Sequence, residues 1–213
     1  VHPQLGHGAG TSGEIFVRRF MREARLQASL DHPHICKVFE CGELPSSEEQ
    51  PGYPYIAMQL ITGQPLRRAQ LEMTLLDKVQ VIRQVAEALH CAHRQGLIHR
   101  DIKPSNIMVE RTDQGGFHSY VTDFGLARVT AGTEQSRTGL IEGTPRYMAP
   151  EQARGDIRHL DRRTDVYALG VTLYELLTGQ TPHRGDSELD ILLSVLTEEP
   201  PPLRALEPSV PAD

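Results

Sequence analysis

Eight consecutive residues carry most of the chemistry this chain could perform: His99-Arg100-Asp101-Ile102-Lys103-Pro104-Ser105-Asn106. Asp123-Phe124-Gly125 follows 22 positions after Asp101. Carboxylate and amide oxygens are hard ligands that suit magnesium, which takes few protein oxygens and shares its remaining positions with phosphate and water. A lysine ammonium beside them neutralises anionic charge, and a carboxylate can orient a hydroxyl and receive its proton. Taken singly, either triplet arises by chance, and Asp and Asn often do no more than cap turns. Both motifs in this order, each beside a strand-like run and preceded by a helix of adequate length, make coincidence a poor account.

The elements that must hold these residues can be read from the hydrophobic pattern. Over Glu14 to Leu30, Phe16, Phe20, Ala24 and Ala28 fall at helical spacing, and Asp31-His32-Pro33 stops the helix. Residues 35–41 and 53–61 read as short strands separated by a Pro/Ser/Glu-rich loop. From Thr74, an N-cap with Asp77 three positions on, a second helix places Leu76, Val79, Ile82, Ala86, Leu89 and His93 on one face and ends at Gly96. Short apolar pieces follow at 97–99, 107–109 and 120–122, the last two joined through Gly115-Gly116 as a hairpin. Residues 164–179 are apolar almost all round, which predicts a helix buried on every side. A further helix is expected from Ser187 to Leu196, and the tail beyond it has too many prolines to hold one.

With 213 residues, 38% apolar and 23% charged, the chain has material for a sizeable core. A formal net charge of −6 gives no general attraction to nucleic-acid polymers or acidic membranes, so anionic ligands need a local site. Arg67-Arg68 and Arg162-Arg163, without aromatic interleaving, read as solvated faces. No apolar run is long enough to span a bilayer, and the start has no signal-peptide pattern, so no membrane contact within this chain and a cytoplasmic setting are expected. Cys36, Cys41 and Cys91 fit reduced thiols. His90, His93 and His99 lie close in sequence but offer no convincing metal site, and structural histidines are the better account.

On residues 99–106 and 123–125, and on Gly143-Thr144-Pro145-Arg146-Tyr147-Met148-Ala149-Pro150-Glu151, the chain resembles the eukaryotic-type protein kinases, most nearly the serine/threonine type of the bacterial eukaryotic-like group. The resemblance implies an α+β, bilobal fold: a partial N-lobe of sheet plus one helix over 1–57, a hinge over 58–65, and a mainly helical C-lobe over 66–213. It implies transfer of the ATP γ-phosphoryl group to serine or threonine hydroxyls of a protein substrate, with ATP and Mg2+ as cofactors. Asp101 would orient the hydroxyl and receive its proton, Lys103 would stand near the transferring group, and Asn106 and Asp123 would hold the metal. Met58, Gln59 and Ile61 would meet adenine, the last two through backbone groups, with Met108 beneath the ring. Glu23 would pair with a phosphate-gripping lysine. His99 and Phe124 would pack the site, Asp165 would accept hydrogen bonds from the catalytic-loop backbone, and Thr144 would bond toward Asp101 and Lys103. Arg100 would receive a phosphate added to the polar segment between Phe124 and Gly143, with Thr138 the first candidate and Thr133 and Ser136 next, in a dimer that phosphorylates itself.

Two family features are missing from the sequence. Gly6, Gly8, Gly10 and Gly13 do not form the glycine-rich loop, and only three of the 22 basic residues are lysines, none of them before Glu23. The chain therefore reads as cut short at both ends and as weak or inactive alone, with Glu151 left without the arginine that pairs with it in the family. A pseudokinase that only binds or scaffolds is the alternative, opposed by the intact Asp101, Asn106 and Asp123. A small-molecule phosphotransferase is opposed by residues 143–151. A membrane anchor in the parent protein would lie outside this segment.

Overall fold

A computed structural model describes residues 12–44, 53–124, 145–156 and 159–211. The first helix, α1 (Ser12–Ala28), turns Phe20, Glu23, Ala24 and Gln27 inward and leaves Ala28 exposed. The expected face, read at a constant four-residue interval, drifts off a helix of about 3.6 residues per turn; steps of three and four hold one side. Beyond α1, strands β1 (Val38–Glu43) and β2 (Pro54–Met58) pair antiparallel, with Val38 opposite Met58 and Glu43 opposite Pro54.

The first strand begins later than its apolar run. Ile35 makes an isolated parallel bridge to Val121, the Cys36 amide donates to the Val121 carbonyl at 2.9 Å, and the Val121 amide donates to His34 at 2.9 Å. Residues 34–36 thus belong to a second, three-stranded sheet, to which they tie the N-terminal part. That sheet has β3 (Gln64–Pro65) beside β4 (Ile107–Arg111) beside β5 (Phe117–Val121), all antiparallel. The β4–β5 turn uses Gly115 at φ +87, a conformation that needs no Cβ.

A one-turn helix, α2 (Leu66–Ala69), leads to α3 (Leu75–Arg94), which starts with the expected capping box of Thr74 and Asp77. Its buried side is Val81, Ile82, Val85, Ala88, Leu89 and Ala92. Leu76, Val79 and Ala86, expected inside, are exposed. Choosing one apolar residue per turn mixed two rows of the helix, and the row that meets β5 is set by packing. After Gly96, at φ +76, residues 97–99 join no strand: the Leu97 amide bonds back to the Ala92 carbonyl and the His99 amide to the Asp165 side chain.

Among the described residues four helices follow: α4 (Pro150–Ala153), α5 (Arg162–Thr178), α6 (Glu188–Thr197) and the single turn α7 (Leu203–Leu206). The tail therefore does hold one helical turn, which Pro202 can precede because its missing N–H is not needed there. Helix α5 is not buried on every side as its composition predicts: Thr164, Asp165, Ala168, Val171, Thr172, Tyr174 and Leu176 are buried, whereas Arg162, Arg163, Val166 and Gly170 are exposed. Its inner residues, with α3, β4 and β5, build the main core around Val85, Ile102, Ile107, Val121, Phe124 and Leu176. A second cluster of Met148, Ala153, Leu192 and Val195 fastens residues 145–153 to α6. The whole is α+β, with small sheets toward the N-terminus and a mostly helical remainder. No helix among the described residues is long and apolar enough to cross a membrane.

Candidate active site

The loop from His99 to Asn106 is suspended from one buried carboxylate. Asp165, fully buried in the first turn of α5, accepts the His99 amide at 2.8 Å, the Arg100 amide at 2.7 Å and the His93 Nε2 at 2.7 Å. The neighbouring Gln152 donates from Nε2 to the Arg100 carbonyl at 3.0 Å. These bonds hold Arg100 at φ 68, a left-handed conformation that disfavours side chains with a Cβ. His99 fixes the other side: its Nε2 meets the Thr122 carbonyl at 2.8 Å, its Nδ1 accepts the Asp101 amide at 3.2 Å, and its ring packs 4.7 Å from that of Phe124.

From this support the polar side chains converge. Asp101 Oδ2 receives Lys103 Nζ at 2.7 Å and Asn106 Nδ2 at 2.9 Å, and the same Nδ2 reaches the Asp101 carbonyl at 2.8 Å. Both partners of Asn106 Nδ2 are acceptors only, so the amide nitrogen must face them and Oδ1 points elsewhere, where it accepts the Ser105 hydroxyl at 3.4 Å and keeps a second lone pair that could serve a cation. Thr122 links the two motifs: its amide and hydroxyl donate to the Asn106 carbonyl at 3.0 and 3.2 Å, with the hydroxyl 3.5 Å from Asp123 Oδ2. Asp123 itself stands at φ 60. A carboxylate oxygen, an amide oxygen, an ammonium and a second carboxylate thus share one connected site. Such a set can hold a divalent cation on one side and orient a hydroxyl on the other.

Glu23 of α1 approaches the same region, with Oε1 3.8 Å from Arg100 Nη1. Met58 ends β2, and Met108 lies half-buried on β4. Between them, the Gln59 amide donates to the Lys37 carbonyl at 2.8 Å, and the Cys36 thiol approaches the Gln59 carbonyl at 3.6 Å. Of the Gln59 backbone groups expected to face a base, the N–H is therefore already used. Burial, followed by the charge of Asp123, pushes the Cys36 thiol above its ordinary pKa, so it stays protonated and unreactive. Glu151, expected to lack a partner, accepts a hydrogen bond from the Thr164 hydroxyl at 2.7 Å. Thr133, Ser136, Thr138 and Thr144 lie outside the described residues.

The protein kinase domain family matches residues 9–205. The chain belongs to the protein kinase family. It is 43% identical over 199 residues to serine/threonine-protein kinase pkn3 of Myxococcus xanthus, covering 90% of this chain and 35% of that protein. It is 41% identical over 204 residues to serine/threonine-protein kinase PknB of Mycobacterium tuberculosis, covering 93% and 31%. For serine/threonine-protein kinase PrkC of Bacillus subtilis the identity is 37% over 199 residues, covering 92% and 29%. The chain spans about a third of the length of these relatives. The crystal structure of the Mycobacterium tuberculosis PknI kinase domain matches with a TM-score of 0.66 at 29% identity, covering 92% of this chain and 67% of that one.

Protein kinases as a family use ATP with Mg2+ and act on protein substrates. Within this kinase domain, sequence reading missed three supports of the loop. His93 looks like part of an apolar helix face, Gln152 ends the run 143–152 with no role assigned to it, and Thr122 is one residue outside a motif. The available signal was a histidine on an otherwise apolar stripe, since a buried imidazole needs a hydrogen-bond partner.

Proposed function

We propose that the protein carrying this chain is a serine/threonine kinase that transfers the ATP γ-phosphoryl group to hydroxyls of protein substrates. The observation that carries this reading is the shared grip on Asp101, whose carboxylate is held between Lys103 and the Asn106 amide. In this reading residues 1–57 form the N-terminal lobe, 58–65 the hinge and 66–213 the C-terminal lobe. Asp123 and the Oδ1 of Asn106 hold magnesium, whose chemistry is to neutralise charge on the phosphates. Asp101 orients the incoming hydroxyl and takes its proton as the oxygen bonds to phosphorus and the bond to the ADP oxygen breaks. Lys103 sets a positive charge beside the oxygens that gain charge. Adenine lies between the segment holding Met58, Gln59 and Ile61 and the Met108 side chain, with the Gln59 carbonyl and Ile61 backbone facing it. The serine/threonine kinase relatives support hydroxyl substrates.

The experiment is magnesium-dependent nucleotide binding and transfer to a generic protein substrate, measured on the full-length protein. Asp123→Ala is expected to weaken ATP binding in the presence of magnesium by about tenfold or more and to leave binding in its absence unchanged, since one carboxylate ligand is lost. Equal affinities with and without magnesium in the unsubstituted protein would refute the metal assignment. Transfer to aminoglycosides or choline but not to protein would refute the substrate class.

A further inference from the structure

We infer that Glu110 is a positioning residue for nucleotide, which clamps the segment after β2 to the strand that carries Met108. This rests on the kinase reading of the cleft. Along β4, side chains alternate: Ile107 and Val109 are buried in the core, while Met108 and Glu110 share the opposite face. Glu110 Oε1 accepts both the Thr62 amide at 2.9 Å and the Thr62 hydroxyl at 3.0 Å. Its Oε2 accepts the Tyr120 hydroxyl at 3.1 Å. The adjacent Arg111 is directed to Glu72 at 2.6 Å, so Glu110 serves these neutral donors and not that cation.

The residues following Thr62 are fixed to the same strand by independent means. A Cβ on Gly63 would lie 2.2 Å from the Val109 carbonyl oxygen, so the backbone is pressed against β4 there. Gln64 and Pro65 then pair in register with Val109 and Met108. Thr62 is the first of these anchored residues after Ile61, and Glu110 supplies its anchor. In the proposed cleft, adenine meets main-chain groups of this segment on one side and Met108 on the other. The width of that slot depends on what ties segment to strand, and the clamp removes the freedom that nucleotide would otherwise have to restrict on binding. Burial alone would raise the Glu110 pKa, but the bonds from Thr62 and Tyr120, with the charge of nearby His118, outweigh it and hold the carboxyl below its usual range. A group lowered in this way keeps its bonds at all pH values above the ordinary carboxylate pKa and loses them only in acid. The clamp is therefore closed near neutral pH.

The test is the Kd for ATP with magnesium, together with KM for ATP and for a peptide substrate, in the full-length protein. Glu110→Ala should weaken ATP binding by about fivefold, equivalent to about one hydrogen-bond contribution, and raise KM for ATP in parallel. The peptide KM should not move, which a general loss of structure would not achieve. Glu110→Gln keeps an acceptor for Thr62 and should stay within about twofold of the parent. Thr62→Val removes one of the two bonds without touching β4, so it should weaken binding by about twofold to threefold, and adding it to Glu110→Ala should cost nothing further. If Glu110→Ala fails to fold, the Thr62→Val result decides. Unchanged ATP affinity in Glu110→Ala or, where that variant does not fold, in Thr62→Val overturns the clamp, as do fully additive effects, while leaving the kinase reading intact. Absence of ATP binding in the unsubstituted protein instead overturns that reading.

Discussion

Asp101→Asn is expected to lower kcat for phosphoryl transfer by about a thousandfold while leaving the Kd for ATP with magnesium within about threefold. The asparagine has nearly the same shape, so the loop has no steric reason to move. What changes is the charge and the proton acceptor. Asp101 Oδ2 receives Lys103 Nζ at 2.7 Å and Asn106 Nδ2 at 2.9 Å, and an amide oxygen placed there could still accept both but would carry no charge and would leave a donor group where the second carboxylate oxygen stood. Lys103 loses its counter-charge in a site where its side chain is only 20% exposed. The hydroxyl substrate loses both its orienting acceptor and the destination of its proton, whereas the nucleotide, proposed to be held by Asp123, Asn106 and the segment near Gln59, keeps its contacts. Single-turnover transfer and ATP titration on the same preparation separate the two effects. Transfer retained at a tenth of the parent rate or more would remove Asp101 from the chemistry.

The difference between what the sequence disclosed and what it concealed follows from distance along the chain. Asp101, Lys103 and Asn106 lie on one short loop, so the chemistry proposed for them requires fixed types at fixed spacing, and the pattern is visible. The Thr74 cap and the Gly115-Gly116 turn are local in the same sense. The Glu110 to Thr62 bond spans 48 positions and the His93 to Asp165 bond 72, with no pattern linking either pair. Residues 97–99 are as apolar as 107–109 and 120–122, yet only the latter two pair, because apolar content marks burial while ladder formation depends on where each N–H goes. In α1, Gln27 is buried with neither amide atom hydrogen-bonded among the described residues, on a face that composition would reserve for an apolar side chain. Its place was legible only from the position of its neighbours. The direction of the α3 face failed for a related reason, since both candidate rows were apolar and β5 selected between them.

Asp165→Ala is expected to destabilise the protein by about 3 to 5 kcal/mol, because it removes one fully buried acceptor from three donors at once, the His99 amide among them fully enclosed. The carboxylate is fully buried, and its three partners come from two separate parts of the chain, His93 on α3 and the amides of His99 and Arg100 in the loop. Thermal unfolding should show a fall in Tm of about 10 °C for a chain of this size. The consequence for activity should exceed the loss of folded protein. Arg100 occupies a left-handed conformation at φ 68 that costs about 1 to 2 kcal/mol and persists only while Asp165 and Gln152 hold its two peptide groups. Without Asp165 the Arg100 backbone can relax, and Asp101, the next residue, turns with it. Transfer assayed well below the lowered Tm should therefore still be reduced by about tenfold or more, whereas Gln152→Ala, which removes one bond on the other side of Arg100, should give a smaller shift in the same direction. An unchanged Tm in Asp165→Ala would show that the loop is held by other contacts, and normal transfer in the folded variant would show that the Arg100 conformation does not set the aim of Asp101.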